Sequence, residues 1–137
     1  MKIVELKKAK KEKVGHINLN GVKPEPQERR TIRLLSQYGF NIEVIRPTNT
    51  PKTNNPDILM LGTIWEMKAP TSFNENTLKL GMKKAAKQAG HIVFDLRSVK
   101  KNSEKVGKYI IELFIGNSKM RRMILIKKGG QAVDFIK

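Results

Sequence analysis

Cysteine is absent from this chain, and aromatic and acidic residues are scarce. Without cysteine there is no disulfide and no thiolate metal site, which suits the cytosol. Aromatic residues make up 6% of the chain, which argues against a nucleic-acid surface built mainly from rings stacked on bases. No apolar run is long enough to span a bilayer, and the charged residues 2–13 contain no apolar signal-peptide core. We therefore expect no membrane anchor and no export signal within this sequence, which leaves open a domain cut from a longer exported protein.

The scarcity of acids gives the chain a strong positive charge. Twelve acidic residues stand against 28 lysines and arginines, for a net charge of +16. A domain this basic is expected to bind a polyanion, and nucleic acid is the default partner. A membrane surface is less favoured because no basic amphipathic helix with an aromatic face stands out. The plain alternative is a basic protein whose charge serves solubility alone, although +16 exceeds what solubility needs.

The 137 residues, of which 39% are hydrophobic, suffice for one domain with one core. Residues 1–23 are interpreted as a basic arm or the end of a linker, and residues 24–137 as the folded domain. Apolar spacing and turn residues predict helices over 27–38, 77–89 and 103–113. Ser103 is the expected N-cap of the last helix and Gly90 ends the second. Strands are predicted over 41–46, 91–96, 121–127 and 131–136, the last two joined by a turn at Gly129-Gly130.

The segment 57–68 is the most informative part of the chain. Its apolar residues surround Leu61-Gly62, which predicts two strands joined by a tight turn. A two-residue turn places Asp57 directly opposite Glu66, and Lys68 shares a sheet face with both. Carboxylate oxygens suit a hard cation such as Mg²⁺, and the lysine ammonium could position water or stabilise a phosphoryl oxygen. This arrangement is typical of phosphodiester hydrolysis.

A Glu-x-Lys triplet also occurs by chance in any lysine-rich chain, usually on a solvated face. Here an acid opposite an acid on an apolar hairpin is costly without a cation, which is the physical reason to expect a site. Glu28 is a candidate fourth site residue because it lies one turn before Ile32 on the apolar stripe of the first helix. Its alternative role is a favourable interaction with the helix N-terminus.

Several polar and basic residues are candidates for contact with nucleic acid. Each of them has a plain alternative as a solvated side chain. His91 is kept outside the catalytic set, and Asp95 is expected to pair with Arg97. The nucleic-acid-binding candidates are Lys83, Lys84, Lys87 and Gln88 on the second helix, and Arg121 and Arg122 at a strand start.

The chain resembles the PD-(D/E)XK nuclease superfamily over roughly residues 24–97. More narrowly, it is similar to the C-terminal nuclease domains of contact-dependent growth inhibition toxins, in the tRNA-cleaving branch. The resemblance rests on Glu28, Pro56-Asp57-Ile58, Trp65-Glu66-Met67-Lys68 and the segment 87–97 that begins with Lys87-Gln88-Ala89-Gly90. It implies an α/β fold with a mixed central sheet flanked by helices, an αβββαβ core and a C-terminal α-β-β extension. It also implies tRNA as substrate, a cognate immunity protein, and action in the cytoplasm of a target cell after delivery within a longer toxin.

We therefore expect a metal-dependent endoribonuclease that cleaves tRNA. Asp57 and Glu66 would bind Mg²⁺ or another divalent cation, and Lys68 would orient water or stabilise developing charge. Glu28 would hold the metal, its water shell or Lys68. Metal-independent cleavage stays open, because the 2′-hydroxyl of RNA permits it with the carboxylates as acid and base. The alternatives are a DNase or junction resolvase on the same fold, and an inactive nuclease-like module that binds nucleic acid.

Overall fold

Eight strands form one mixed sheet, and three helices pack on its two faces. The computed structural model describes residues 1–45 and 57–137. The strand order is β1-β8-β7-β6-β5-β4-β3-β2. The elements are β1 (Lys2–Glu5), β2 (Ile17–Asn18), α1 (Pro26–Gln37), β3 (Ile42–Val44), β4 (Ile58–Met60), β5 (Thr63–Lys68), α2 (Glu75–Gln88), β6 (His91–Asp95), α3 (Ser103–Gly116), β7 (Arg122–Ile126) and β8 (Ala132–Ile136), with a 3₁₀ turn at Lys11–Lys13. The predicted αβββαβ core with its α-β-β extension is confirmed.

Helix α1 begins with a proline and a reciprocal cap. Pro26 occupies the first turn, where its missing N–H costs nothing. The Glu25 and Glu28 side chains each accept a hydrogen bond from the other residue's backbone N–H. Ile32 and Leu35 are buried against one face of the sheet, within the cluster that contains Trp65. The core stripe of this helix therefore points inward as predicted, and Glu28 lies at its edge.

The β4–β5 hairpin has the predicted two-residue turn. Leu61 and Gly62 both have positive φ, 54° and 76°, as a type I′ turn requires. Ile58 pairs with Trp65 and Met60 with Thr63. Extending this register by one residue places Asp57 opposite Glu66, so the predicted pairing is confirmed. The preceding Pro56 and the end of the predicted 41–46 strand at Arg46 lie outside the described residues.

Helix α2 connects two parallel neighbours, β5 and β6. Asn74 caps the helix by accepting a hydrogen bond from the Thr77 backbone N–H. Gly90, with a φ of +73°, follows the helix and takes a backbone conformation that other residues rarely adopt. Its N–H donates to the Ala85 carbonyl. Helices α2 and α3 pack together on the sheet face opposite α1, over Ile92 and Phe94.

The C-terminal extension differs from the sequence prediction in two details. Helix α3 runs three residues further than expected, to Gly116, and its N-cap is Asn102 in the left-handed conformation rather than Ser103. No side chain caps this end, so the serine hydroxyl signal was misleading. The hairpin of β7 and β8 is confirmed, with Gly130 at a φ of +92° in its turn.

The basic N-terminal segment contributes both edges of the sheet. Strand β1 pairs antiparallel with β8, and β2 pairs parallel with β3. The sequence predicts only a basic arm or the end of a linker for residues 1–23. Both strands are short and mostly exposed, and β1 begins and ends with a charged residue, so no local pattern predicts these pairings. No helix in the described part of the chain is long and apolar enough to cross a bilayer.

Candidate active site

Glu66 is the centre of the candidate site. It lies in the middle of β5 on the face that α2 covers, and its side chain is fully buried. The pKa of Glu66 is raised to about 7, mostly by burial and then by the neighbouring Asp57 carboxyl, while the charges of Lys84 and Lys68 oppose the shift. A carboxyl group with this pKa can gain or lose a proton near neutral pH.

Asp57 stands beside Glu66 at the start of the hairpin. Its Oδ2 accepts a hydrogen bond of 3.0 Å from Nε2 of Gln88, at the end of α2. Its Oδ1 is buried and accepts no hydrogen bond from any residue that the structure describes. Two acids are therefore adjacent, as the hairpin register predicted, and α2 supplies a neutral donor to one of them.

Two lysine side chains face the same oxygen of Glu66. Lys68 Nζ lies 3.7 Å from Oε1 and Lys84 Nζ lies 3.3 Å from it. Lys68 comes from β5 itself, two residues after Glu66, as alternation along a strand requires. Lys84 comes from α2, and the sequence pointed to it only as part of a basic outer surface. The structure instead brings Lys84 to the buried acid.

Glu28 borders a separate cleft next to Lys68. The cleft has a volume of about 220 Å³ and is lined by both residues, together with Thr31 and Phe94. Burial raises the pKa of Glu28, while the hydrogen bond from the Glu25 N–H and the charge of Lys68 oppose this. Glu28 thus caps the helix, and its carboxylate also feels the positive charge of Lys68.

A buried polar cluster fixes α1 next to this cleft. The Thr31 hydroxyl donates to Asp95 Oδ2 over 2.6 Å. Arg97 donates to both oxygens of Asp95 through its guanidinium, which confirms the expected pairing. Burial raises the pKa of Asp95, but the hydrogen bonds from Arg97 and Thr31 outweigh burial and lower it overall. Sequence reasoning missed Thr31, because no local pattern links it to a residue 64 positions away.

The remaining basic candidates differ in their surroundings. Lys83 and Lys87 are exposed on α2, and Arg121 is exposed before β7. Arg122 is held within the protein: it donates to both oxygens of Asp134 and stacks over Trp65. His91 packs its ring edge against the same tryptophan, with Nδ1 2.6 Å from the Ala89 carbonyl oxygen. This gives His91 a structural environment away from the paired acids.

The acid pair is suited to bind a divalent cation because several of its carboxylate oxygens accept no hydrogen bond from the described residues. No donor in the described part of the chain reaches the buried Asp57 Oδ1 or either oxygen of Glu66, which is costly for carboxylates. Mg²⁺ uses one or two carboxylates and keeps waters and substrate phosphates as further ligands. Across residues 1–45 and 57–137, no three His, Cys, Asp or Glu side chains form a metal-ligand group. Glu28 does not join the acid pair in such a group among these residues, and the positive charge of Lys68 acts on it.

One feature of the sequence is consistent with the close approach of α2 to β5. Gly81 and Lys84 lie three residues apart, and Gln88 follows four later, so all three share one helix face. A Cβ at Gly81 would lie 3.3 Å from Lys68 Cγ. The glycine therefore lets the helix come close to β5, which brings Lys84 and Gln88 to the two acids.

Fold and site together define an α/β domain with a buried acid pair and two lysines at the junction of a hairpin and a helix. Its sequence belongs to the contact-dependent growth inhibition CdiA C-terminal domain family, whose profile matches residues 53–132. No curated protein sequence matches the chain. Among solved structures, the fold is similar to a chain of the CdiA-CT/CdiI toxin and immunity complex from Burkholderia pseudomallei. That match has a TM-score of 0.63 and 16% identity, and covers 90% of this chain and 100% of the other.

Proposed function

We propose that this chain is a metal-dependent endoribonuclease toxin domain that cleaves tRNA, built on a PD-(D/E)XK-like core. The observation that carries the proposal is the buried Glu66 beside Asp57, with three carboxylate oxygens that lack a donor and two lysines at one of them. Membership of the toxin family supports a toxic activity. The choice of tRNA rests on the resemblance noted in the sequence, and the net charge of +16 supports a polyanionic substrate.

In the proposed reaction, water attacks phosphorus and the bond from phosphorus to the leaving oxygen breaks. Asp57 and Glu66 would hold a divalent cation, which supplies Lewis-acid activation and charge stabilisation when bound. Lys68 is close enough to Glu66 to orient the attacking water or to stabilise charge on a phosphoryl oxygen. Glu28 would act on Lys68 through charge from the neighbouring cleft, and Gln88 fixes the orientation of Asp57 through its hydrogen bond.

A protein with this activity needs an inhibitor in the cell that makes it. The similar structure is described as a toxin and immunity complex. We propose that this chain likewise has a cognate immunity protein, and that it acts in the cytoplasm of a target cell after delivery as part of a larger toxin. A partner with an acidic surface would complement the charge of +16.

The test is a cleavage assay with a matched acid-to-amide control. Wild-type protein, Asp57→Asn and Glu5→Gln are incubated with total tRNA and with plasmid DNA, in Mg²⁺ or in EDTA. Glu5 is exposed on the edge strand β1, which lies four strands away from β5 in the sheet order. We expect discrete tRNA cuts in Mg²⁺ for the wild type and Glu5→Gln. Asp57→Asn should lose at least about 100-fold in rate, as expected when one carboxylate essential for transition-state stabilisation is removed.

Each other outcome changes the proposal in a defined way. Cuts that persist in EDTA would keep the ribonuclease and remove the metal. Cleavage of plasmid alone would move the protein to the DNase or resolvase class. Nucleic-acid binding without cleavage, equal in wild type and Asp57→Asn, would leave an inactive binding module.

A further inference from the structure

The amine closest to the buried acid comes from the helix and not from the strand. Lys84 Nζ is 3.3 Å from Glu66 Oε1, against 3.7 Å for Lys68. The side chains differ in exposure: Lys84 is 45% exposed, Lys68 26% and Glu66 0%. The buried carboxylate is therefore balanced from its solvent side by an amine that keeps much of its own hydration.

The contact between Lys84 and Glu66 is electrostatic only. Among the described residues, no hydrogen bond reaches Glu66 Oε1, although the Lys84 ammonium lies 3.3 Å away, and none reaches Oε2. A lysine on a flexible four-carbon stem that is not held by a hydrogen bond can turn back to water once another cation takes its place at the carboxylate. Lys84 can therefore leave Glu66 without disturbing the core.

The residues around Lys84 hold the helix in place while its own side chain stays free to move. One turn earlier, Gly81 packs against the stem of Lys68. One turn later, Gln88 donates to Asp57. Lys84 lies between these two contacts and faces the acid pair. A positive charge at this position repels any second cation that approaches the same oxygens.

We propose that Lys84 is a displaceable counter-ion of the metal site. It neutralises Glu66 while no divalent cation is bound, and it leaves Glu66 when a cation binds to the acid pair. Lys84 thereby weakens the affinity of the site for divalent cations and stabilises the metal-free fold. This inference rests on the proposed function, because it takes Asp57 and Glu66 as the metal ligands. A lysine that only contacts substrate phosphate would leave metal affinity unchanged.

The experiment measures Mn²⁺ binding by calorimetry and thermal unfolding, without substrate. Wild type is compared with Lys84→Met, which keeps the stem and removes the charge, and with Lys84→Arg, which keeps the charge. Lys87→Met is the control, since it removes the same charge from an exposed position on the same helix. At pH 8.5 we expect Lys84→Met to bind Mn²⁺ about tenfold more tightly than wild type, because a nearby like charge is gone. Lys84→Arg and Lys87→Met should stay within about twofold of wild type.

Thermal unfolding gives a second measure of the proposed replacement of Lys84 by a divalent cation at Glu66. Without metal, Lys84→Met should melt at a lower temperature than wild type, because Glu66 loses its counter-ion. Saturating Mn²⁺ should raise its melting temperature by more than that of wild type. Unchanged or weaker Mn²⁺ binding in Lys84→Met, an equal gain in Lys87→Met, or no Mn²⁺ binding by wild type would each overturn the inference. The tRNA cleavage assay is scored separately: metal-dependent cleavage by wild type would keep the proposed function even if this inference failed.

Discussion

At the scale of single residues, the site depends on keeping a charged Glu66 where burial disfavours charge. The pKa of Glu66 is raised from its ordinary value of 4.5 to about 7, first by burial and then by Asp57. The folded state therefore holds this proton more tightly than the unfolded chain does. The stability that Glu66 contributes is fully present below pH 4.5 and is lost as the pH rises through about 7. The metal-free protein is thus destabilised by the buried Glu66 at alkaline pH.

Replacing Glu66 by glutamine should remove this pH dependence. In EDTA at pH 8.5, we expect Glu66→Gln to be more stable than wild type by on the order of 1–3 kcal/mol, because the buried charge is gone. At pH 5 the two proteins should differ little, since wild-type Glu66 is then protonated in the folded state. Urea unfolding at both pH values measures the difference. Glu5→Gln is the control and should track wild type; a stability gap that is the same at both pH values would contradict the argument.

At the scale of elements, the site is formed by the close approach of α2 to β5. Gly81 is buried on the helix face that meets Lys68. Glycine inside a helix costs about 0.8–1 kcal/mol relative to alanine. The presence of this destabilising glycine at the contact indicates that it leaves space for the Lys68 side chain at the expense of helix stability. A substitution of Gly81 should therefore lower the cleavage rate without lowering the stability of the fold.

The substitution Gly81→Ala tests this separation. Its Cβ would lie 3.3 Å from Lys68 Cγ and 3.4 Å from Cε, so the lysine stem must shift by a few tenths of an ångström. We expect stability to stay equal or to rise by up to about 1 kcal/mol, from helix propensity. The rate of RNA cleavage should fall about tenfold or more, because Lys68 is displaced. Gly116→Ala at the end of α3 is the control, since nothing lies within 4 Å of its added Cβ. Full activity in Gly81→Ala would show that the position of Lys68 is not critical.

At the scale of the whole molecule, a charge of +16 is distributed over one small domain. The exposed lysines of α2 lie on the same helix that brings Lys84 and Gln88 to the acids. This arrangement would guide a phosphate backbone along α2 towards the site. The N-terminal segment that carries Lys7 and Lys8 runs beside α1, where the Ala9 N–H donates to the Gln37 carbonyl, and α2 lies on the opposite face of the sheet. Position, and not total charge alone, should therefore decide how much each lysine contributes to binding.

The salt dependence of RNA binding measures these contributions. In an Asp57→Asn background that prevents cleavage, affinity should fall about 100-fold between roughly 50 and 200 mM salt if about five phosphates are contacted. The double variant Lys83→Gln/Lys87→Gln should lower the slope of log affinity against log salt by about 1.4. Lys7→Gln/Lys8→Gln removes the same charge from the N-terminal segment and should change the slope little. Equal changes in both pairs would indicate binding by overall charge without a defined surface.

The sequence by itself determined the helices, the two hairpins and the pairing of Asp57 with Glu66. Each of these depends on local information: apolar spacing, glycine in turns, and a two-residue turn that fixes the register of its strands. The position of Lys68 beside these acids could also be predicted, because side chains alternate along a strand. The hairpin half of the site therefore follows from residues that are close in the chain.

The other half of the site, which α2 contributes, is determined only by the tertiary structure. Lys84 and Gln88 reach the acids because α2 crosses over β5, and Thr31 meets Asp95 because α1 packs on the opposite face of the same sheet. The edge strands β1 and β2 likewise pair with distant partners. These contacts join residues far apart in sequence, and short exposed strands and single polar side chains carry no periodic signal. Their positions are fixed by the packing of the helices on a common core, which no local pattern encodes.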